Sequence, residues 1–497
     1  MNHSTPERRG ISSGRIRAFV EELERSRLST HDIIIARGDD IIFENYRPPF
    51  GPDYLHRMYS VSKSFVSLAV GFAIQDGLLN LDDTMEQHFP HELEGQTDAN
   101  MRRQTVRHML MMSTAKLPQN WFSARCKDRV AYYFSNPDPV SRPSGTIFQY
   151  DSTGSFVLGA LVERLVGMPF MDYLRLKLFD KLGVSKEAHC LACPGGHSWG
   201  DSAVLCTARD LLLTARFVLN GGSWKGEQLL NADYIRAAVS KQIDNSTLGA
   251  DEISSQGYGY LIWKAYGQGF WFNGMGCQFA LCVPEKDLIL IYNGDNQGLT
   301  FASSRILDSF YRLIVSDAGD PIADDKAAYD GLVSYAASLK LAAAVGEKHS
   351  PMENLINGRR FRLDRNPMGI THIRLCFEGE SGRFEYTNAQ GDKVLRFGLG
   401  ENLFGVFPQT GYSREVGSVG CPGNTYKCAA SAAWLSPERL YLSVQIIDEY
   451  FGRLGITFGF VTDPDGRLHT GIEMVKSAED FLGEYSGYAG GYIDGND

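Results

Sequence analysis

The chain has 497 residues, of which 43% are apolar and 22% are charged, and its formal net charge is −10. This composition is typical of a globular protein with a large core and excludes wholesale disorder. The acidic balance argues against nucleic acid and against an anionic membrane surface as partners, and no apolar run is long enough to span a bilayer.

The N-terminus is polar and then amphipathic, without the apolar core of a signal peptide, so we expect a cytoplasmic location. Nine cysteines at irregular spacing fit free thiols in a reducing compartment. Residues 14–27 predict an amphipathic helix, and two β-branched runs split by a Gly-Asp-Asp turn at residues 38–40 predict a hairpin.

A second hairpin is predicted far along the chain, over residues 279–294, and a helical segment follows at 301–315. The pattern between the two hairpins is mostly helical. Strands at both ends of a unit, with helices between them, predict one antiparallel sheet that has helices on its faces.

The composition changes after about residue 316. Residues 321–349 predict a linker with an Ala-rich helix, and residues 350–497 show short alternating segments between Gly, Asn and Asp turns. We therefore expect an α/β (α+β) domain over 1–320, with an all-α region, and a small β-barrel or sandwich domain after the linker. Two roles are open for the β domain: shaping a substrate cleft and forming a homo-oligomer interface.

The segment MYSVSKSFVSLAVGFAIQDGLL, residues 58–79, is apolar almost all round and predicts a buried central helix. Ser60 falls at its start, and Lys63 lies one turn on, so its amine can reach the Ser60 hydroxyl. Burial disfavours an ammonium ion, and a neutral amine is a usable base. The pattern thus indicates a serine nucleophile beside its proton acceptor. In the alternative, Ser60 caps the helix and Lys63 extends to solvent.

The same tetrapeptide pattern occurs a second time, at Ser113 and Lys116. There Pro118 forbids the long helix that should follow. The context therefore favours the first copy.

Further motifs follow Ser60 in an order that resembles the serine β-lactamase and penicillin-binding-protein superfamily, especially its class C-like branch. That branch includes D-alanyl-D-alanine carboxypeptidases, family VIII esterases and 6-aminohexanoate-oligomer hydrolases. The similar segments are YSVSKSF, PSGTIFQYDSTGSFVLGALVERLVG, TARDLLLTARFVLNGGSWKGEQLL, YGYLIW and FWFNGMGCQFALCVPEKDLILIYN. The resemblance covers roughly residues 14–315 and is far more specific than one tetrapeptide.

The resemblance implies that Ser60 is the nucleophile, that Lys63 is its base, and that Tyr150 is a second proton-transfer group. In the alternative for Tyr150, the ring merely packs against the helix that follows it. The backbone N–H groups of Ser60 and Met275 would form the oxyanion hole.

Gly274, Asn273 and Ser152 complete the residues that the resemblance places around a substrate. Two of the motifs depart from the family pattern. Serine stands at position 152, where asparagine is usual, and Phe272 replaces the Lys or His that helps to hold a substrate carboxylate. The departures favour an ester or amide substrate without that carboxylate.

We therefore predict a serine hydrolase that acts on a small-molecule ester or amide through an acyl-enzyme on Ser60, without cofactor or metal. One alternative is a β-lactamase-like binding protein that has lost turnover. A second alternative is acyltransferase, DD-peptidase or β-lactamase activity at the same site.

Two competing motifs lie close together. GHSWG, residues 196–200, fits the Gly-x-Ser-x-Gly nucleophile elbow, but HCLACPGG before it predicts no strand. His189, Cys190, Cys193 and His197 offer four zinc ligands, although structural zinc sites draw ligand pairs from two segments. We favour coincidence for the first motif and a loop with reduced thiols for the second.

Overall fold

The computed structural model describes residues 1–117, 126, 128–135, 141–193, 195–248, 251–410, 425–477 and 485–494. The chain divides into two compact units. The first unit comprises Met1–Asn296 and Thr300–Lys340, and the second comprises Gln297–Leu299 with the described residues from Leu341 onward.

The first unit contains a seven-stranded sheet and two small sheets. Its strands are β1 (Asn2–His3), β2 (Thr30–Arg37), β3 (Asp40–Tyr46), β4 (His56–Arg57), β5 (His189–Cys190), β6 (Val204–Cys206), β7 (Ser223–Trp224), β8 (Glu227–Gln228), β9 (Trp263–Lys264), β10 (Phe270–Gly274), β11 (Gln278–Val283) and β12 (Leu288–Gly294). The large sheet has the order β1-β3-β2-β12-β11-β10-β9. Its pairs are antiparallel except β1 with β3.

The two predicted hairpins are confirmed as β2–β3 and β11–β12. They meet where β2 pairs with β12, so that Ile34 lies opposite Ile291 in the centre of the sheet. The two sequence ends of the predicted unit therefore close a single antiparallel sheet, as the pattern indicated.

Helices pack on this sheet and on one another. They are α1 (Ser13–Arg25), α2 (Ser62–Gln75), α3 (Met85–His88), α4 (Ala99–Arg103), α5 (Val106–Leu110), α6 (Arg129–Ser135), α7 (Ser152–Val166), α8 (Phe170–Leu174), α9 (Asp180–Leu182), α10 (Ala208–Leu219), α11 (Ala232–Ala238), α12 (Ala302–Phe310) and α13 (Lys326–Ser338). Helix α10 packs on β2, β11 and β12, whereas α2 packs against α7 and α8. No single helix in the described ranges is long and apolar enough to cross a bilayer, although the bent pair Ser152–Val166 and Phe170–Leu182 meets that test of length and composition.

Helix α2 is the predicted buried helix. Every residue from Ser62 to Ala73 is buried, which explains why the sequence is apolar almost all round. The sequence pattern placed Ser60 at the start of this helix, which was wrong by two residues. Ser60 lies in a 3₁₀ turn, Tyr59–Val61, that precedes α2. The turn is closed by a hydrogen bond from the N–H of Val61 to the carbonyl of Met58.

The second unit is a β-barrel. It contains α14 (Glu353–Ile356), β13 (Arg360–Leu363), β14 (His372–Glu378), β15 (Ser381–Asn388), β16 (Gly391–Leu399), β17 (Leu403–Thr410), β18 (Thr425–Ser436), β19 (Arg439–Ile447), β20 (Phe451–Thr462), β21 (Leu468–Lys476) and β22 (Gly487–Ile493). Nine strands close into a ring because β16 pairs both with β15 and, in parallel, with β18, while β17 also pairs with β18. Buried and half-exposed residues alternate along β15, as expected for strands with one face toward a core. This confirms the predicted fold class.

Candidate active site

Ser60 and Lys63 face each other at the N-terminal end of α2. Nζ of Lys63 donates a hydrogen bond to Oγ of Ser60 over 2.8 Å. Lys63 is 1% exposed, whereas Ser60 is half-buried in its 3₁₀ turn. The hydroxyl and the amine are therefore within reach of direct proton transfer, with the hydroxyl on the solvent side.

The backbone before Ser60 is strained. Tyr59 has a φ of +45°, in the left-handed region that residues other than glycine rarely adopt. Strain of this kind persists where surrounding contacts hold it, and it is concentrated at functional sites. The Tyr59 ring is buried, and the guanidinium group of Arg57 lies 4.8 Å from its centroid. The conformation of the turn is thus held by packing around the Tyr59 ring.

The amine of Lys63 has a second acceptor, the backbone carbonyl of Asp201, at 2.7 Å. This bond helps to hold the amine in place beside Ser60. The Asp201 carboxyl group is itself 1% exposed. Burial raises its pKa to about 6, and the nearby charges of Lys63, Arg129 and Arg57 oppose that rise. Sequence reasoning missed Asp201, because its glycine-containing loop gives no local sign of burial.

Tyr150 lies beside the same amine. Nζ of Lys63 stands 5.1 Å from the centroid of the Tyr150 ring, and the Trp263 ring stacks on that ring with centroids 5.6 Å apart. Within the described ranges, no hydrogen bond is recorded for the phenolic oxygen. The ring therefore lies beside the Lys63 amine, which the family resemblance implied as its neighbour, and beside the Trp263 indole, a contact that the sequence pattern did not reveal.

Asp151 explains why Tyr150 precedes a helix. Its carboxylate caps α7 by accepting hydrogen bonds from the N–H groups of Thr153 and Gly154 at 2.9 and 3.1 Å, and it also accepts one from Thr114 Oγ1 at 3.0 Å. Asp151 is fully buried. The capped helix end fixes the chain directly after the tyrosine.

Gly274 brings the edge of the sheet to the Ser60 turn. A β-carbon on residue 274 would lie 2.4 Å from the carbonyl oxygen of Met58 and 3.3 Å from the nitrogen of Val61, so only glycine fits. Nε2 of Gln278 donates to the Met275 carbonyl at 2.7 Å, and this bond holds the loop after β10. Met275, the other residue predicted to supply an oxyanion donor, lies in this loop and is 45% exposed.

The structure links the remaining predicted residues to the Ser60–Lys63 pair less directly. Asn273 is half-buried in β10, opposite Phe279 of β11. Phe272 is fully buried in the same strand and presents no charge to a cleft. Ser152 is the first residue of α7 and half-buried, and no recorded contact joins it to Ser60 or Lys63.

The second Ser-x-x-Lys motif is not arranged like the first. Ser113 Oγ donates to the carbonyl of His108 at 3.0 Å, and Nζ of Lys116 donates to the carbonyl of Tyr133. Pro118 lies outside the described residues. The preference for Ser60 over Ser113 therefore has a structural basis.

The GHSWG segment does not form a nucleophile elbow. Ser198 is buried and forms an isolated antiparallel β-bridge with Ala192. In the described stretch after Ser198, the first helix begins only at Ala208, whereas a nucleophile elbow needs a helix directly after the serine. Contrary to expectation, His189–Cys190 does form a short strand, which is paired with β6. Its pairing comes from a distant segment that local sequence cannot show.

The histidines and cysteines of the same loop are held by other partners. His197 Nδ1 lies 2.9 Å from Glu163 Oε2, and His189 Nδ1 lies 2.7 Å from the carbonyl of Glu187. The eight cysteines that the structure describes are free thiols. Within the described ranges, no cluster of three or more His, Cys, Asp or Glu residues has metal-binding geometry.

Comparison with known proteins identifies the family of the chain. Residues 16–302, more than half of the chain, match the family model named Beta-lactamase. A 6-aminohexanoate-dimer hydrolase from Paenarthrobacter ureafaciens is 26% identical over 226 residues, which is 42% of this chain and 57% of that protein. The match thus spans little more than half of that relative.

Among solved structures, a candidate β-lactamase from Bacteroides dorei DSM 17855 superposes with a TM-score of 0.51 at 14% identity, covering 61% of this chain and 98% of that one. The octameric penicillin-binding protein homologue from Pyrococcus abyssi gives a TM-score of 0.49 at 14% identity, over 97% and 99% of the two chains. At such identity the first of these likenesses shows the fold alone. On the family match, the chain belongs to the Beta-lactamase family.

Proposed function

We propose that the protein is a serine hydrolase that cleaves an ester or amide through an acyl-enzyme on Ser60. The observation that carries this proposal is the 2.8 Å hydrogen bond between Lys63 and Ser60, beside the Tyr150 ring. A serine hydroxyl is a weak nucleophile by itself, and an amine at this distance is a base in position. The relative from Paenarthrobacter ureafaciens is named a hydrolase, which supports the same reaction class.

In acylation, Oγ of Ser60 attacks the substrate carbonyl carbon while its proton passes to Lys63. The carbonyl oxygen becomes an oxyanion, for which the N–H groups of Ser60 and Met275 are the proposed donors. When the tetrahedral intermediate collapses, the leaving alkoxide or amine takes a proton from Lys63 or Tyr150, and the acyl group stays on Ser60. Water then attacks the acyl-enzyme and gives a proton to the same base, and this proton returns to Oγ of Ser60 as the ester bond breaks and the acid is released.

The proposed substrate carries no carboxylate beside the bond that is cleaved. Phe272 occupies the third-motif position where the family resemblance expects a cation, and its side chain is fully buried in β10. A carboxylate bound next to the reacting carbonyl needs an accessible cationic donor. Lys63 is buried and already bonded to Ser60 and Asp201. Neutral esters and amides therefore fit better than β-lactams or peptide C-termini.

A fluorophosphonate probe and a p-nitrophenyl ester test the proposal on the purified full chain. The wild type is expected to be labelled and to turn the ester over. Ser60→Ala should lose both, by at least ~10³-fold in turnover, because removal of a nucleophile abolishes the covalent route. Ser113→Ala is the matched control from the second Ser-x-x-Lys motif, and it should behave like the wild type.

Labelling that persists in Ser60→Ala would contradict the assignment of the nucleophile. A folded wild type that is inert toward probe, esters and amides would instead support a binding protein without turnover. Cleavage of a cephalosporin at rates that rival simple esters would overturn the substrate class while leaving Ser60 as the nucleophile.

A further inference from the structure

A buried carboxyl group lies behind the Ser60–Lys63 pair. Asp201 is 1% exposed, and within the part of the chain that the structure describes, its Oδ1 is buried without a hydrogen-bond partner. Its backbone carbonyl accepts the hydrogen bond from Lys63 at 2.7 Å. A buried carboxyl oxygen without a hydrogen bond is costly, and its presence in a native fold requires an explanation.

The charges of three cations on three different elements act on this carboxyl group. They are Lys63 on α2, Arg57 on β4 and Arg129 on α6, and each is at most 2% exposed. The two guanidinium groups lie over one indole, that of Trp199, at 4.4 and 5.7 Å from its centroid. Asp201 therefore provides a negative charge inside a buried group of three positive charges, which together we call the cation cluster.

The other titratable groups around Asp201 are neutral or already bonded, so we do not expect them to balance the charge of the cation cluster. Burial raises the pKa of the Cys190 thiol and of the Cys193 thiol, and the Asp201 charge raises them further, so both thiols stay neutral. Glu163 of α7 is engaged by His197 and by the N–H groups of Phe170 and Ser198.

The chain at Asp201 is pressed onto the helix that carries Lys63. A β-carbon on Gly200 would lie 2.9 Å from Cγ2 of Val66, one turn along α2 from Lys63. The backbone beside Asp201 is thus packed against the helix that carries Lys63, and its carbonyl is bonded to the amine.

We infer that Asp201 is a positioning residue of the Ser60 site, whose carboxylate is the counter-charge of the cation cluster and sets the pH range in which Lys63 accepts the proton of Ser60. The inference rests on the proposed function. A carboxylate beside an amine stabilises the protonated amine, whereas two guanidinium groups disfavour it. Loss of the Asp201 charge therefore lets Lys63 act as a base at lower pH.

The test is the pH profile of kcat/KM for p-nitrophenyl acetate. In Asp201→Asn the ascending limb should move to lower pH by about one unit, since one nearby charge is removed. Asp201→Ala is the second neutral variant and should move the limb in the same direction. Asp32→Asn is the matched control, because Asp32 is also a buried aspartate, 4% exposed, but lies opposite Asn293 in the sheet. Its limb should stay in place.

Thermal unfolding supplies a readout that does not depend on activity. Because burial raises the pKa of Asp201 to about 6, ionisation of the folded protein costs stability as the pH rises from about 4 to 6. Asp201→Asn escapes this cost, so its Tm relative to the wild type should be higher at pH 7 than at pH 4. A side chain that does not ionise would give the same difference at both pH values, whereas Asp32→Asn should show a pH-dependent difference of Tm without any movement of the limb.

An active wild type whose ascending limb stays in place in both neutral variants would overturn the inference and leave the proposed function intact. An equal movement of the limb in Asp32→Asn would also overturn it. A wild type that is inert toward every ester would overturn the proposed function first, and this inference with it.

Discussion

Gly274 lies so close to Met58 that a β-carbon on residue 274 would stand 2.4 Å from the Met58 carbonyl oxygen. The carbonyl oxygen belongs to the backbone and the position of a β-carbon is fixed by its own backbone, so no side-chain rotation can relieve the contact. Strand β10 can therefore reach the Ser60 turn only with glycine at this position.

Gly274→Ala should push β10 and the Met275 N–H away from Ser60. We expect kcat to fall by roughly 10²- to 10³-fold, as for loss of one oxyanion donor, with a smaller change in KM. Gly459→Ala in β20 is the control, because no atom lies within 4 Å of the β-carbon it would add. Steady-state kinetics on both variants check this, and normal turnover by Gly274→Ala would contradict the proposed oxyanion hole.

Lys63→Arg separates the charge of this side chain from its ability to accept a proton. A guanidinium group keeps the positive charge but is not deprotonated in proteins. Lys63→Arg should therefore lose ~10²-fold or more in kcat, as Lys63→Ala should, on the scale of removing a general base. Circular dichroism and Tm confirm folding of each variant. Substantial activity in Lys63→Arg would show that the amine acts through charge alone.

Trp263 is expected to affect kcat by holding the ring of Tyr150, on which its indole stacks. Tyr150→Phe should lower kcat by ~10² or more. Trp263→Leu should lower kcat by about 10- to 100-fold because the phenol loses its support, and Trp263→Phe should recover part of the loss. Trp224→Leu, in the separate β7–β8 hairpin, is the control. Equal kinetics for the leucine and phenylalanine variants of Trp263 would contradict a role for stacking.

Asp32 should make stability depend on pH. Burial raises the pKa of Asp32 to about 7, although a hydrogen bond from Asn293 opposes the rise. A raised carboxyl pKa means that the stabilising contribution is complete below about pH 4 and is lost as the pH rises toward 7. A change from an ordinary value of 3.8 to about 7 corresponds to roughly 4 kcal/mol.

Asp32→Asn should therefore raise the free energy of unfolding relative to the wild type at pH 8 and leave it nearly unchanged near pH 4. Urea unfolding at the two pH values measures the difference. A pH-independent difference between the variant and the wild type would show that Asp32 stays neutral or finds a charge partner.

The fold was largely predictable because its main signals are local. Runs of β-branched residues around short turns predicted both hairpins, and the uniform apolarity of residues 58–79 predicted the buried helix α2. The spacing of Ser60 and Lys63 placed both groups on one helical turn, and the structure brings them within hydrogen-bonding distance. The catalytic roles of these residues remain predictions.

The contacts that surround this pair were not predictable, because they join distant parts of the chain. Asp201 is 138 residues from Lys63, and Trp263 reaches Tyr150 from a strand on the edge of the sheet. A carboxyl group in a glycine-containing loop normally lies in solvent, so nothing local indicates that Asp201 is buried. The positive φ of Tyr59 also escaped prediction, since residues other than glycine seldom adopt it.

In the site proposed above, Ser60 of the 3₁₀ turn Tyr59–Val61 supplies both the attacking hydroxyl and one main-chain donor. Replacing Ser60 by alanine deletes the first and keeps the second, together with the Met275 amide. Such a variant would hold an intact reactant by its carbonyl without consuming it. It is therefore suited as a substrate-trapping variant for isolating the natural substrate from cell extracts, because the wild type would convert that substrate to products.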